Sequence, residues 1–206
     1  RDFSTAQMLK TPVFYAVWAL YFLGASAGLT AIAEAAPLVR ELAGKAAVMT
    51  GGQALGVMSV FNGVGRLLWG AMSDRLGRRA ALLGMCGLAA VTYAVVLPGT
   101  DSFWRVLGGL CGAGFCYGGF LALMPSLTAD FWGSRNIGAN YGLLFTAWGA
   151  AGFALPLWSS GVIGAAKASG RVQAGYDEVF YVLAGLAVVG GVLALVVRRP
   201  AAPAEA

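Results

Sequence analysis

Residues 70–79 read Gly70-Ala71-Met72-Ser73-Asp74-Arg75-Leu76-Gly77-Arg78-Arg79. One apolar stretch runs into this segment from residue 48 and another leaves it at residue 80. A charged, glycine-containing decapeptide between two such stretches reads as a tight turn joining two membrane helices. Gly77 suits a backbone position with positive φ. Asp74 can accept hydrogen bonds at a nearby helix N-terminus, where the helix dipole favours an anion. Arg75, Arg78 and Arg79 can pair with carboxylates or with lipid phosphates.

Working outward, the rest of the chain supports that reading. The protein has 206 residues, of which 59% are hydrophobic and only 11% charged, with a mean hydropathy of +0.74. A soluble domain of this length needs more polar surface. A crossing helix needs about 20 apolar residues. Six stretches qualify, at roughly 12–34, 48–73, 80–97, 102–128, 136–160 and 177–198. The fold class is therefore an all-α membrane protein with six transmembrane helices over residues 12–198. Residues 1–11 read as a linker and 199–206 as a tail. The chain starts Arg1-Asp2-Phe3 without Met and without a signal-peptide pattern, and is read as part of a longer chain.

The net charge of +5 is spread through the gaps between apolar runs, which argues for orientation in a membrane and against a nucleic-acid surface. With the N-terminus in the cytoplasm, inner segments carry eight basic residues (Arg1, Lys10, Arg75, Arg78, Arg79, Arg135, Arg198, Arg199). Outer segments carry five (Arg40, Lys45, Arg105, Lys167, Arg171). Both termini are expected to be cytoplasmic, in a bacterial inner membrane or a eukaryotic plasma membrane, with the Gly- and Ala-rich composition favouring a bacterium. The aromatic residues Trp18, Tyr21, Trp132, Trp158 and Tyr181 read as interfacial belts.

Other chemistry finds little support. The chain has no histidine, and Cys86, Cys111 and Cys116 sit in apolar stretches without metal-ligand spacing. No metal, no cofactor and no enzymatic activity are expected. A channel would need a filter-like or ring-forming segment, and none is visible. The patterns Gly108-x-x-x-Gly112, Gly114-x-x-x-Gly118 and Gly138-x-x-x-Gly142 are those of closely packed membrane helices.

One cation breaks the pattern. Arg66 lies in an otherwise uncharged run from Val57 to Met72. An Arg at that depth costs at least about 2.5–3.5 kcal/mol to insert, so it should face a water-filled cavity or a carboxylate. The candidate stretches hold no Asp or Glu at similar depth: Glu34 reads as near the outer end of its helix and Asp130 near the inner end of its own. An unpaired Arg fork suits an anionic ligand, since it matches a carboxylate bidentately. The alternative is a carboxylate supplied by helices outside residues 1–206. Helical spacing puts Ser59, Asn62, Gly63, Arg66 and Trp69 or Gly70 on one stripe.

The segment 70–79 resembles the signature loop of the major facilitator superfamily, G-x-x-x-D-R-x-G-R-R. Further runs narrow the likeness: Thr11-Pro12-Val13-Phe14-Tyr15, Ala27-Gly28-Leu29, Asn62-Gly63-Val64-Gly65-Arg66, Tyr117-Gly118-Gly119, and Asn140-Tyr141-Gly142-Leu143-Leu144-Phe145-Thr146-Ala147-Trp148-Gly149. Together they resemble the C-terminal half of the oxalate/formate antiporter family, relatives of the monocarboxylate transporters. The resemblance implies helices seven to twelve of a carrier, built as two three-helix inverted repeats, 12–97 and 102–198. It implies alternating-access transport of small mono- or dicarboxylates, by antiport, with the lipid bilayer and a six-helix N-terminal half as partners. It implies Arg66 as the carboxylate contact. It also implies that Gly70, Asp74, Arg75, Gly77, Arg78 and Arg79 gate the conformational change, with Asp74 short of contacts in the absence of the other half. Asn62 stands where proton-coupled relatives resemble one another in an Asp. Asn cannot titrate, which weighs against the alternative of proton symport through this helix. Trp148 stands where oxalate-exchanging members carry Lys, which weighs against oxalate itself. Trp148, Phe145 and Tyr117 are further candidates for the cavity wall.

Overall fold

A computed structural model describes residues 2–201. Arg1 and tail residues 202–206, both invoked above, lie outside the described residues. The described chain is helical from end to end: α1 (Thr5–Leu9), α2 (Pro12–Leu38), α3 (Gly51–Leu76), α4 (Arg78–Val91), α5 (Phe103–Trp132), α6 (Ile137–Ala168) and α7 (Val172–Val196). A π-helical turn extends α2 through Val39–Ala43, and another extends α4 through Thr92–Val96.

Local sequence sets the ends. Pro12 occupies the first turn of α2, where its missing N–H costs nothing. Thr50 caps α3 in a capping box with Gln53. Gly77 has φ 90° and both ends α3 and starts α4, as its place in the loop requires. Gly44, Gly99, Gly133 and Gly170 supply the other positive-φ turns between long helices.

The long helices match the expected stretches in number and order, but two are longer. The first runs to Ala43 and the fifth to Ala168, 32 residues each and about 48 Å long. Five helices are long and apolar enough to cross a membrane by length and composition. The exception is α3: it has 26 residues, ample for a crossing, but its glycines, Ser59, Asn62 and Arg66 make it less apolar.

Packing follows a two-fold pattern. The seams α2–α6 and α5–α3 are extensive, α4 packs on α7, and α2 packs on α5. Exchanging α2, α3, α4 for α5, α6, α7 leaves this set of neighbours unchanged, as an inverted three-plus-three repeat demands. Gly114 and Gly118 let α5 close on the α3 backbone: a Cβ on Gly114 would lie 2.7 Å from the Met58 carbonyl, and one on Gly118 would run into the Asn62 carbonyl. Gly112 packs on Thr92. By contrast Gly108, Gly138 and Gly142 face open space, so those parts of the small-residue patterns are not packing seams.

The aromatic residues also sort differently from the expected belts. Tyr21 and Trp132 are fully buried, because α2 and α5 lie at the centre of the bundle. Tyr181 is exposed, as a belt residue should be.

The segment ahead of α2 is docked rather than loose. Phe3 and Met8 are buried; Phe3 N–H donates to the Trp132 carbonyl at 2.8 Å, and Asn136 and Asn140 amides donate to the Phe3 carbonyl at 2.9 and 3.2 Å. Asn140 Oδ1 accepts from the Thr5 hydroxyl at 2.9 Å. Asn140 is completely buried, so Asn140→Ala should cost about 1–3 kcal/mol, read as a lowered unfolding temperature in detergent.

Candidate functional site

The cavity wall begins with α3. Met58, Ser59, Asn62 and Arg66 lie on one face of that helix and open on a cavity of about 490 Å³. From α5 come Tyr117 and Leu121, from α6 Tyr141, Phe145 and Trp148, and from α2 Ile32. The structure thus brings together all five candidates Arg66, Asn62, Trp148, Phe145 and Tyr117 on one wall. Gly63, Trp69 and Gly70 do not join them. Trp69 is buried further along α3, 5.5 Å from the Phe115 ring and against Gly84 and Gly119. The stripe is shorter than helical spacing suggested, because beyond Arg66 the Trp69 side chain is packed against Gly84 of α4 and Gly119 of α5.

Arg66 is exposed on the open side of the cavity, and its Nε donates to Asn62 Oδ1 at 3.2 Å. Asn62 in turn donates from Nδ2 to the Gly114 carbonyl at 3.3 Å, which fixes its amide toward Arg66. Among the described residues no carboxylate lies within ion-pair distance of Arg66. The two Nη groups are free of such partners and can present a fork to a planar anion.

The rest of the lining is largely aromatic. Trp148 stacks on Phe145 with centroids 4.9 Å apart and planes 13° from parallel. Its Nε1 donates to the Tyr117 hydroxyl at 2.7 Å, joining α6 to α5 across the cavity. Gly28 of α2 leaves the space that Tyr117 fills. Tyr141 was not singled out from the sequence; its hydroxyl is 3.3 Å from that of buried Tyr21. Its position one turn ahead of Phe145 was the available signal. The result is one cation, one amide and several phenol and indole groups around a space fit for a small molecule.

The signature loop forms a separate polar cluster. Arg78 is its hub: Nη1 donates to Ser73 Oγ at 2.7 Å and to Asp74 Oδ1 at 2.6 Å, and Nε donates to Asp130 Oδ2 at 2.8 Å. Asp74 is therefore met by the Arg78 side chain and not by a helix N-terminus, and 69% of its side chain stays exposed. Asp130, seen from the sequence only as a residue near a helix end, is the contact that ties α5 to the loop. Gly70 lies within α3 with open space around its Cα, and Arg75 and Arg79 make no ion pair among the described residues.

The loop, the small-residue α3–α5 seam and the inverted packing point to one kind of protein, and comparison decides it. The model of the Major Facilitator Superfamily matches residues 2–156. The chain belongs to that superfamily. Members of the major facilitator superfamily are transporters rather than enzymes. Within it, this facilitator chain is similar to the oxalate:formate antiporter of Oxalobacter formigenes, 34% identical over 149 residues, covering 71% of this chain and 35% of that protein. It is similar to the transporter YhjX of Escherichia coli (strain K12), 29% identical over 154 residues, covering 72% of this chain and 37% of the relative. It is also similar to apicoplast pyruvate carrier 1 of Toxoplasma gondii, 35% identical over 155 residues, covering 69% of this chain and 27% of the carrier. The facilitator chain thus aligns with about a third of the length of these curated relatives. It is an integral, multi-pass membrane protein of the oxalate/formate antiporter-like kind.

Proposed function

We propose that this chain is one half of a secondary carrier for small organic anions, and that Arg66 holds the substrate carboxylate. The observation that carries the reading is Arg66: an unpaired guanidinium, steadied by Asn62, on the wall of a 490 Å³ cavity within a membrane bundle. A carboxylate placed against Arg66 exchanges the water around a membrane-buried cation for a bidentate pair. The Trp148–Phe145 stack and Tyr117 would cover the rest of the molecule. That wall supplies no second cation, so a monocarboxylate, or a dicarboxylate whose second charge is met elsewhere, fits this half best. Relatives named for oxalate, formate and pyruvate support carboxylates as the substrate class.

Alternating access would proceed by rocking of two six-helix halves around the cavity. Large apolar side chains on α3 and α6 stay exposed beside it, among them Leu67 at 74% and Phe153 at 73%, which suits helices of a second half packing there. Asp74, exposed at the signature loop, would then meet a helix end of that half and steady one state. The basic cluster Arg75, Arg78 and Arg79 supports cytoplasmic placement of that loop and of both ends of the chain, as in a bacterial inner membrane. Asn62 in place of a titratable residue favours exchange of one anion for another over proton symport through α3.

The test is counterflow in proteoliposomes holding the complete carrier. Labelled oxalate, formate, lactate and pyruvate are offered outside, with each unlabelled acid inside. The expected result is saturable uptake of a carboxylate, stimulated by a carboxylate on the other side. Uptake that is linear in concentration and indifferent to the trans side would contradict a carrier. A second substitution probes the aromatic wall. Trp148→Phe keeps the stack but leaves the buried Tyr117 hydroxyl without its donor, so KM for the transported acid should rise about 2- to 10-fold with folding preserved.

A further inference from the structure

A second ionisable site lies in the membrane bundle, away from the Arg66 cavity. Glu34 sits nine residues before the end of the first span at Ala43, and Ser159 sits nine residues before the end of α6 at Ala168. Nine helical residues are about 13 Å, so Glu34, half-buried, sits more than two turns short of the helix end at which the sequence had suggested it. Ser159 is completely buried, and its hydroxyl is 3.1 Å from Glu34 Oε1 and 3.1 Å from the Pro156 carbonyl. A serine has one hydroxyl hydrogen. A full hydrogen for each contact is available when Glu34 carries a proton: Glu34 O–H then donates to Ser159 Oγ, and Ser159 donates to the Pro156 carbonyl. An ionised Glu34 takes the serine hydrogen for itself.

The surroundings offer the carboxylate no charge compensation. Among the described residues no cation lies within ion-pair distance of Glu34. Two of the cations at that end pair with Glu41 instead, Lys167 at 2.6 Å and Arg40 at 3.2 Å. The titratable groups that face Glu34 are Tyr176 from α7 and Tyr93 from the turn after α4, with Glu41, Arg40 and Lys167 beyond them. Tyr93 donates its hydroxyl to the Ala27 carbonyl at 2.6 Å. Two further hydroxyls point the same way. Thr30 Oγ1, one helical turn before Glu34, and the Tyr176 hydroxyl are each buried without a hydrogen-bond partner, in residues only 1% exposed. Both residues and Glu34 line a small cavity of about 10 Å³.

We propose that Glu34 is an intramembrane proton-binding site whose titration makes transport pH-dependent. This rests on the carrier reading for its consequence, though not for the site itself. The step is one proton taken from water by the Glu34 carboxylate, giving a neutral carboxyl bonded to Ser159, and the same proton returned on release. The neutral form is the one that suits the packed α2–α6 seam, so low pH favours that packing and rising pH weakens it.

The site is read directly by infrared difference spectroscopy of the complete carrier in lipid, without any substrate. Acidification should raise the carbonyl band of a protonated carboxyl that Glu34→Gln removes and Ser159→Ala shifts, since its frequency reports the hydrogen bond. A wild-type band that survives Glu34→Gln unchanged, or no band at all, would overturn the assignment. Counterflow then reads the consequence. In wild type the exchange rate should fall by up to about tenfold per pH unit above the site's titration, the limit for one proton, and Glu34→Gln should hold the low-pH rate throughout. An unaltered pH profile in Glu34→Gln would overturn the coupling. Absence of counterflow in wild type at every pH would count against the carrier reading and leave the spectroscopic result to decide the site.

Discussion

Replacing Arg66 by Ala abolishes carboxylate counterflow while the protein remains folded. The fold does not lean on this side chain: Arg66 is exposed to the cavity, and its one hydrogen bond in the structure goes to Asn62 on its own helix. Removing a cation from the wall also relieves an insertion cost, so stability should hold or rise slightly. The substrate carboxylate, in contrast, would be left in a cavity whose remaining groups are an amide, hydroxyls and aromatic rings. Truncating one partner of such a charge pair costs about 2–5 kcal/mol, or roughly 30-fold to several thousand-fold in affinity. Arg66→Lys keeps the charge but loses the planar fork, so it should recover only part of the loss. The checks are initial exchange rates in proteoliposomes beside thermal unfolding curves. A folded Ala variant that exchanges at the wild-type rate would remove Arg66 from the mechanism.

Gly118→Ala should be nearly as damaging, for a different reason. A Cβ at residue 118 would overlap the Asn62 carbonyl and approach the Arg66 amide N at 3.1 Å. Both neighbours are backbone of α3, which cannot step aside as a side chain can. Gly114 of α5 and Gly65 of α3 line the same seam, the latter against the Phe115 backbone, so α3 and α5 have no slack to share. Overpacking of this kind costs about 1–3 kcal/mol. The helices must separate, and the displaced residues are the two that form the polar part of the cavity. Gly118→Ala should therefore lower the unfolding temperature and reduce exchange by tenfold or more. Gly142→Ala is the matched control: open space surrounds that glycine, and the substitution should leave unfolding temperature and exchange near wild type. Equal effects at the two positions would show that the α3–α5 seam is not what holds Asn62 and Arg66 in place.

Residues with strong local signals were legible in the sequence, and residues defined by distant partners were not. A charged decapeptide between apolar runs locates a helix–turn–helix, and Gly77 indeed takes the positive φ that its place in the loop implied. A lone Arg in an uncharged run announces a cavity or a partner carboxylate, because hydrocarbon offers a charge neither. Asn62, Tyr117, Phe145 and Trp148 followed from spacing and resemblance, and all four stand on the same wall as Arg66. Tyr21 and Tyr141 carry no such mark. Their hydroxyls meet across 120 residues of sequence, and only the packing of α2 on α6 separates them from ordinary belt aromatics. Glu34 was placed at a helix end because Pro37, Arg40 and Glu41 lower hydropathy just beyond it, yet the helix continues through all three. Gly118 and Gly142 likewise look alike in the sequence, each ending a small-xxx-small pattern. Their difference lies in which neighbour each helix face meets, and that is a property of the bundle.

The central claim is that the cavity binds a carboxylate through Arg66, and equilibrium binding tests it most directly. Calorimetric titration of the complete carrier in detergent, with a transported carboxylate and with its uncharged amide analogue, separates charge recognition from shape. The expected result is saturable binding of the acid, at least 30-fold weaker binding of the amide, and loss of acid binding in Arg66→Ala. Equal affinity for acid and amide, or undiminished acid binding in Arg66→Ala, would contradict it.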